Sequence, residues 1–156
     1  MAHFLGTFTG GLDKKWRVSV PHSFRAVLPQ GVEGACFILR PSHEAACIQG
    51  FTEAGFDDLA DSMKRMPLFS ADETALSYAL YADAAYCAPD KEGRCVLKEE
   101  LIRYAGLTDA VVFVGLRNRF EIWEPARYKA HRDEQLARAR LHTGGLPQVP
   151  AGLAAS

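Results

Sequence analysis

One short phrase is written twice in this chain, each time at the head of the same series of signals. Asp13-Lys14-Lys15-Trp16-Arg17 leads into Val18-Ser19-Val20, and 77 positions later Asp90-Lys91-Glu92-Gly93-Arg94 leads into Cys95-Val96-Leu97. In both copies an aspartate stands four residues ahead of an arginine that opens an apolar, strand-like run. A helix-like run follows, with Phe24 or Leu101 at the matching place. A repeat of so long a period means one folding unit used twice. Each copy is only about 60–70 residues, a size whose single core is marginal. The copies are therefore expected to pack together, or to pack against other chains.

Around the repeated corner the chain reads strand, strand, helix, strand, strand, twice over. In the first copy the strands are Phe4 to Leu12, Arg17 to Val20, Ala35 to Leu39 and Cys47 to Phe51, with a helix opened by Pro21 and reaching about Leu28. The second copy predicts strands over Ala84 to Ala88 and Arg94 to Leu97, then a helix from Glu99 to Ala105 stopped by Gly106. Its hairpin runs from Ala110 to Gly115 and Phe120 to Trp123, around Leu116-Arg117-Asn118-Arg119. Helices are expected over Thr52 to Met66, Asp72 to Tyr81 and Pro125 to about Leu141. In the last of these, Leu136 and Leu141 suggest core or interface packing.

At 156 residues and 48% hydrophobic the chain can bury a real core. No apolar run approaches the ~20 residues of a membrane span, and Met1-Ala2-His3-Phe4-Leu5-Gly6 has no basic, secretory-type start. Cys36, Cys47, Cys87 and Cys95 lack Cys-x-x-Cys spacing and sit among apolar neighbours, as buried reduced thiols do. A reducing cytoplasm follows as the expected setting. The net charge of −1 hides a pattern. Residues 1–40 carry five Lys/Arg against two Asp/Glu, residues 41–90 two against nine, and residues 91–156 eleven against eight. Both corner-bearing regions are thus basic and the spacer acidic. A basic face attracts polyanions even on a near-neutral chain, because the field decays over a Debye length of ~8–10 Å.

A strand-turn-strand corner presents arginine outward on a rigid backbone. The planar guanidinium pairs bidentately with guanine or phosphate, which lysine cannot imitate. An aspartate four residues earlier aims that fork, or pins the corner by accepting backbone N–H bonds. Lys14, Lys15 and Lys91 lie inside the turns, where they are expected to supply phosphate contacts. The plainer reading is that Asp13–Arg17 and Asp90–Arg94 are internal salt bridges that close a turn and nothing more.

These residues resemble a known family. Phe4-Leu5-Gly6-Thr7, Leu12-Asp13-Lys14, Arg17-Val18-Ser19-Val20-Pro21 and Phe24-Arg25 are similar to the start of MraZ proteins. Asp90-Lys91-Glu92-Gly93-Arg94, Leu101 and Tyr104-Ala105-Gly106-Leu107 resemble the second MraZ repeat, and Phe120-Glu121-Ile122-Trp123 its closing strand. The likeness spans residues 4–130 with order and spacing kept. It implies an α+β fold of two tandem AbrB-like modules (SpoVT-AbrB, swapped-hairpin or double-psi-like barrel). These are expected at 4–51 and 83–124, with a helical spacer at 52–82, a C-terminal helix at 125–142 and a disordered tail at 143–156. It also implies a ring-like homo-oligomer in the cytoplasm, associated with the nucleoid. The implied function is sequence-specific regulation, taken as repression, of the bacterial division and cell-wall gene cluster and of its own promoter. The partner is double-stranded promoter DNA carrying repeated elements. The implied DNA-binding residues are Asp13, Lys14, Lys15, Arg17, Arg25, Asp90, Lys91, Arg94 and Arg103. Four places depart from the family pattern: Trp16 stands for a glycine, Pro89 for a leucine, Lys98 for a proline, and Leu101-Ile102 for a Leu-Arg pair. If the first turn needs positive φ, Trp16 should fit it poorly. Either that turn has another shape, or the indole serves a surface.

Two rival classes are weaker. An enzyme needs a constellation that is missing: His3, His22, His43, His131 and His142 are scattered, and no phosphate-cradling glycine loop or serine elbow occurs. His43-Glu44 near Cys47 reads as a surface loop beside a core thiol. No catalysis, cofactor, metal, membrane or small-molecule substrate is expected. The alternative function is an antitoxin-like or other protein-binding AbrB-fold module. However, the residues after Gly144 carry no charge or aromatic anchor with which to wrap a partner.

Overall fold

The computed structural model describes residues 3–142. The expected tail at 143–156 lies outside them. The fold is α+β, with eight strands and five helices among the described residues. The chain divides into two compact units, one ending at Pro125 and one beginning at Ala126.

In the first unit, β1 (Phe4–Gly11) and β2 (Arg17–Ser19) flank the first corner, and α1 (His22–Arg25) follows Pro21. This helix is shorter than the sequence suggests. Pro29 disfavours helical geometry in Leu28 before it, and the chain finishes in i→i+3 bonds from Val27 N to Phe24 O and from Leu28 N to Arg25 O. The strands β3 (Phe37–Pro41) and β4 (Ile48–Thr52) form a hairpin. Thr52 caps α2 (Glu53–Asp61), accepting a bond from Gly55 N. This helix stops five residues before Met66, where Ser62 Oγ donates to Leu59 O and the chain tightens into turns. Ser70 caps α3 (Ala71–Tyr81) in the same way. The second set follows as β5 (Ala85–Cys87), β6 (Arg94–Val96), α4 (Glu99–Ala105), β7 (Ala110–Arg117) and β8 (Phe120–Trp123). Gly106 ends α4 at φ 66, a left-handed conformation that suits glycine.

The two sets are interleaved. Six strands form one antiparallel sheet in the order β1-β7-β8-β4-β3-β5. The first strand of each set joins the hairpin of the other: β1 lies along β7 from Phe4↔Arg117 to Gly11↔Ala110, and β5 along β3 at Phe37↔Cys87. The two hairpins meet at Ile48↔Ile122. A separate two-stranded ribbon pairs β2 with β6. The arrangement is close to a twofold relation between the sets.

One core results. Phe120 is 1% exposed, with its ring centroid 5.1 Å from Phe4, 5.2 Å from Phe37 and 5.5 Å from Phe24. Phe113 joins them at 6.1 Å. Rings from both sets thus share one buried cluster, which neither set could assemble alone. Arg40 ties the spacer on: its Nη2 donates to Ala79 O of α3 at 2.9 Å.

The second unit, described by itself, is α5 (Pro125–Leu141) from Ala126 onward, with no residue buried. Leu136 and Leu141 are exposed on this helix. No helix among the described residues is long and apolar enough to cross a membrane.

Candidate nucleic-acid interface

Both Asp-x-x-x-Arg phrases fold into the same corner, bond for bond. Asp13 Oδ1 accepts from Lys15 N at 2.8 Å and Arg17 N at 2.9 Å, while Oδ2 accepts from Arg17 Nε at 2.7 Å. Asp90 Oδ1 accepts from Glu92 N and Arg94 N, both at 2.9 Å, and Oδ2 from Arg94 Nε at 3.1 Å. Backbone bonds close each turn: Asp13 N to Arg17 O and Trp16 N to Asp13 O, then Asp90 N to Arg94 O and Gly93 N to Asp90 O. Each carboxylate therefore both pins the turn and aims the guanidinium. The internal salt bridge of the plainer reading is present, and it acts as a positioning device. An ion pair this exposed adds little stability by itself.

These bonds favour the charged carboxylate. Backbone N–H donation from Arg17 is the largest influence on Asp13, and from Arg94 on Asp90; both carboxyls are held below the ordinary 3.8. A depressed pKa means that the corner's contribution is complete above the ordinary value and is lost only as pH falls through the lowered one. The amide resonances of Lys15 and Arg17 should accordingly move with a midpoint below the ordinary 3.8. Movement centred well above pH 4 would contradict this geometry.

The ribbon brings the corners together. Its register sets Arg17 opposite Val96 and Ser19 opposite Arg94, while Val18 and Cys95 point inward and are buried. Arg17 and Arg94 are thus diagonal neighbours on the outward face, with roughly 7–8 Å between such positions. Crossed backbone bonds, Val20 N to Gly93 O and Leu97 N to Trp16 O, tie each corner to the other set.

The remaining candidates divide. Lys14, Lys15 and Lys91 are exposed in the turns. Arg25 reaches from α1 to the second corner, its Nε donating to Val20 O at 3.1 Å. Its guanidinium lies on Gly93 so closely that a Cβ there would fall 2.5 Å from Arg25 Cζ. Arg103 is not part of this group; it pairs with Glu99 one turn back on α4, with its side chain 76% exposed. Sequence reasoning overlooked Glu92, whose Oε2 takes Arg94 Nη2 at 3.3 Å. A carboxylate two residues from Arg94 inside a tight turn was the available signal. In the first corner the matching residue is Lys15, and the Nη1 and Nη2 atoms of Arg17 have no hydrogen-bond partner among the described residues. The outward face of the ribbon thus carries Arg17 and Arg94, with Lys14, Lys15 and Lys91 exposed in the adjoining turns.

Comparison with known proteins fits this architecture. The family model described as "MraZ protein, putative antitoxin-like" matches residues 3–78 and 80–143, one stretch for each set. The chain is 44% identical to the transcriptional regulator MraZ of Gluconacetobacter diazotrophicus over 90% of each chain. It is 42% identical to the Gluconobacter oxydans protein of the same name, over 100% of this chain and 95% of that one. Against the Caulobacter vibrioides protein, also so named, identity is 38% over 88% of this chain and 86% of the relative. With the repeated corner, its twofold placement and the family match over both sets, the chain belongs to the MraZ family.

Proposed function

We propose that this protein is a DNA-binding transcription regulator without catalytic activity, working as a homo-oligomer in the cytoplasm on nucleoid DNA. Each set acts as an AbrB-like module, with boundaries at 4–51 and 83–124, and the ribbon they share is the DNA-facing element. The observation that carries this reading is the placement of two carboxylate-aimed arginines, Arg17 and Arg94, on one outward face among Lys14, Lys15, Lys91 and Arg25. Asp13 and Asp90 act as positioning residues. Relatives that bear the name transcriptional regulator support the biological role. The target is the promoter of the division and cell-wall genes together with its own, and the expected outcome is repression.

One ribbon offers few cationic contacts and binds weakly, with strong salt dependence. Self-association multiplies it. Exposed Leu5 and Leu116 face each other across the outermost strand pair of the sheet, an apolar edge that favours a neighbouring subunit.

The test is a mobility-shift titration with duplex DNA from the chain's own upstream region, alongside light scattering. The Arg17→Ala plus Arg94→Ala variant should lose the shift while the oligomer keeps its size. An equal shift by this variant, or none by the wild type at low ionic strength, would overturn the reading. The family description's mention of antitoxins attaches a second reading, protein binding through the tail. Truncation after Leu141 separates the two, since a regulator of the first kind keeps its DNA shift.

A further inference from the structure

The corners share a backbone but differ at two positions: Lys15 stands where the second corner has Glu92, and Trp16 where it has Gly93. Gly93 adopts φ 82, in the left-handed region where glycine is at ease. Trp16 occupies the same position of the first corner at φ 60, a conformation that bulky L-residues adopt only under strain. The turn has therefore kept its glycine shape around a tryptophan. Gly93 is buried beneath Arg25, whereas Trp16 is 44% exposed. Its backbone N–H and carbonyl are both used, yet the indole has no ring partner, and its N–H no acceptor, among the described residues. Lys14, Lys15 and Arg17 surround it, and this is the corner whose arginine keeps its outer edge unpaired.

We propose that Trp16 contacts bases, so that the first corner reads duplex DNA while the second, with Arg25, Lys91 and Arg94, holds the phosphate backbone. This rests on the DNA-binding reading above. The physical case is charge complementarity around an apolar tip. Three cations bring the tip against a polyanion, where a flat apolar ring finds its partner in a base step or a thymine methyl in the groove. A tip glycine with a guanidinium laid across it has no such reach. Strain retained at a turn whose indole is 44% exposed, with no ring or hydrogen-bond partner among the described residues, is the pattern expected when a contact outside the chain supplies the reason.

The chain supplies its own probe. It contains two tryptophans, and Trp123 is 3% exposed with its indole N–H donating to Glu121 Oε1 at 2.9 Å. Titration of the full chain with its upstream duplex should quench and shift the emission of Trp16. Trp16→Phe should remove that response, leaving Trp123 emission unchanged. Trp16→Gly should keep the oligomer and a thermal midpoint at or above that of the wild type, because it restores the residue the turn prefers. It should nevertheless bind the upstream duplex about tenfold more weakly, the scale of one aromatic–base contact. The slope of log affinity against log salt should stay unchanged in Trp16→Gly, whereas Arg17→Ala lowers it by about one. Binding by Trp16→Gly within twofold of wild type, with Arg17→Ala still impaired, would overturn this proposal alone. So would unaltered Trp16 emission at saturating duplex, or a changed oligomer size in Trp16→Gly. A wild type that ignores the duplex would overturn both readings together.

Discussion

Phe120→Ala is expected to cost about 3–5 kcal/mol of folding free energy, the range for emptying a large aromatic site in a tight core. Phe120 belongs to the second set, yet three of its ring neighbours, Phe4, Phe24 and Phe37, come from the first. The substitution therefore opens a cavity where the sets are joined, and no single set can close it by local collapse. Gly50 supplies an independent handle on the same ring. A Cβ at that position would fall 2.1 Å from Phe120 Cζ, and Phe120 cannot retreat because the other rings surround it. Gly50→Ala should thus cost about 1–3 kcal/mol through overpacking. Adding Phe120→Leu to Gly50→Ala should recover part of that loss, so the two changes should be strongly non-additive. Urea midpoints of the four proteins measure the coupling; strict additivity would mean that the ring and the glycine do not share this space.

DNA fragments carrying a single recognition repeat should bind about 10²–10⁴-fold more weakly than fragments carrying several at regular spacing. Arg17, Arg94, three turn lysines and Arg25 are too few cations for tight binding at physiological salt. In an oligomer, the first ribbon to land turns each later contact into an intramolecular event. The gain depends on geometry, so changing the spacing between repeats by half a helical turn should reduce affinity nearly as much as deleting one. Equal binding to one repeat and to several, measured at the same salt, would show that a lone ribbon suffices and that the multivalent part of the proposal is wrong.

Much of the corner was legible before any coordinates. An aspartate accepting from residues two and four ahead is a local event, complete within five residues, so the spacing of Asp13 and Asp90 offered both the pinned turn and the aimed guanidinium, and the structure contains both. The strand and helix order was legible for the same reason, since alternation and capping act over short distances. Helix lengths were less so. Ser62 and Pro29 end helices through local competition that apolar patterning does not register. For Trp16 the sequence posed a choice between a reshaped turn and a surface role. The backbone keeps the glycine-like turn and leaves the indole exposed.

The sequence by itself determined the repeat, the order of strands and helices and the two arginine-bearing turns, because each is written in contacts between near neighbours. Only the tertiary structure decided that β1 and β5 change places between the sets, that Arg17 and Arg94 share one face, and that Arg25 covers Gly93 while Arg103 stays apart. Alternation along a strand tells which side chains point inward, but it carries no information about which distant strand lies alongside. That choice falls to the burial of five phenylalanines drawn from both halves of the chain.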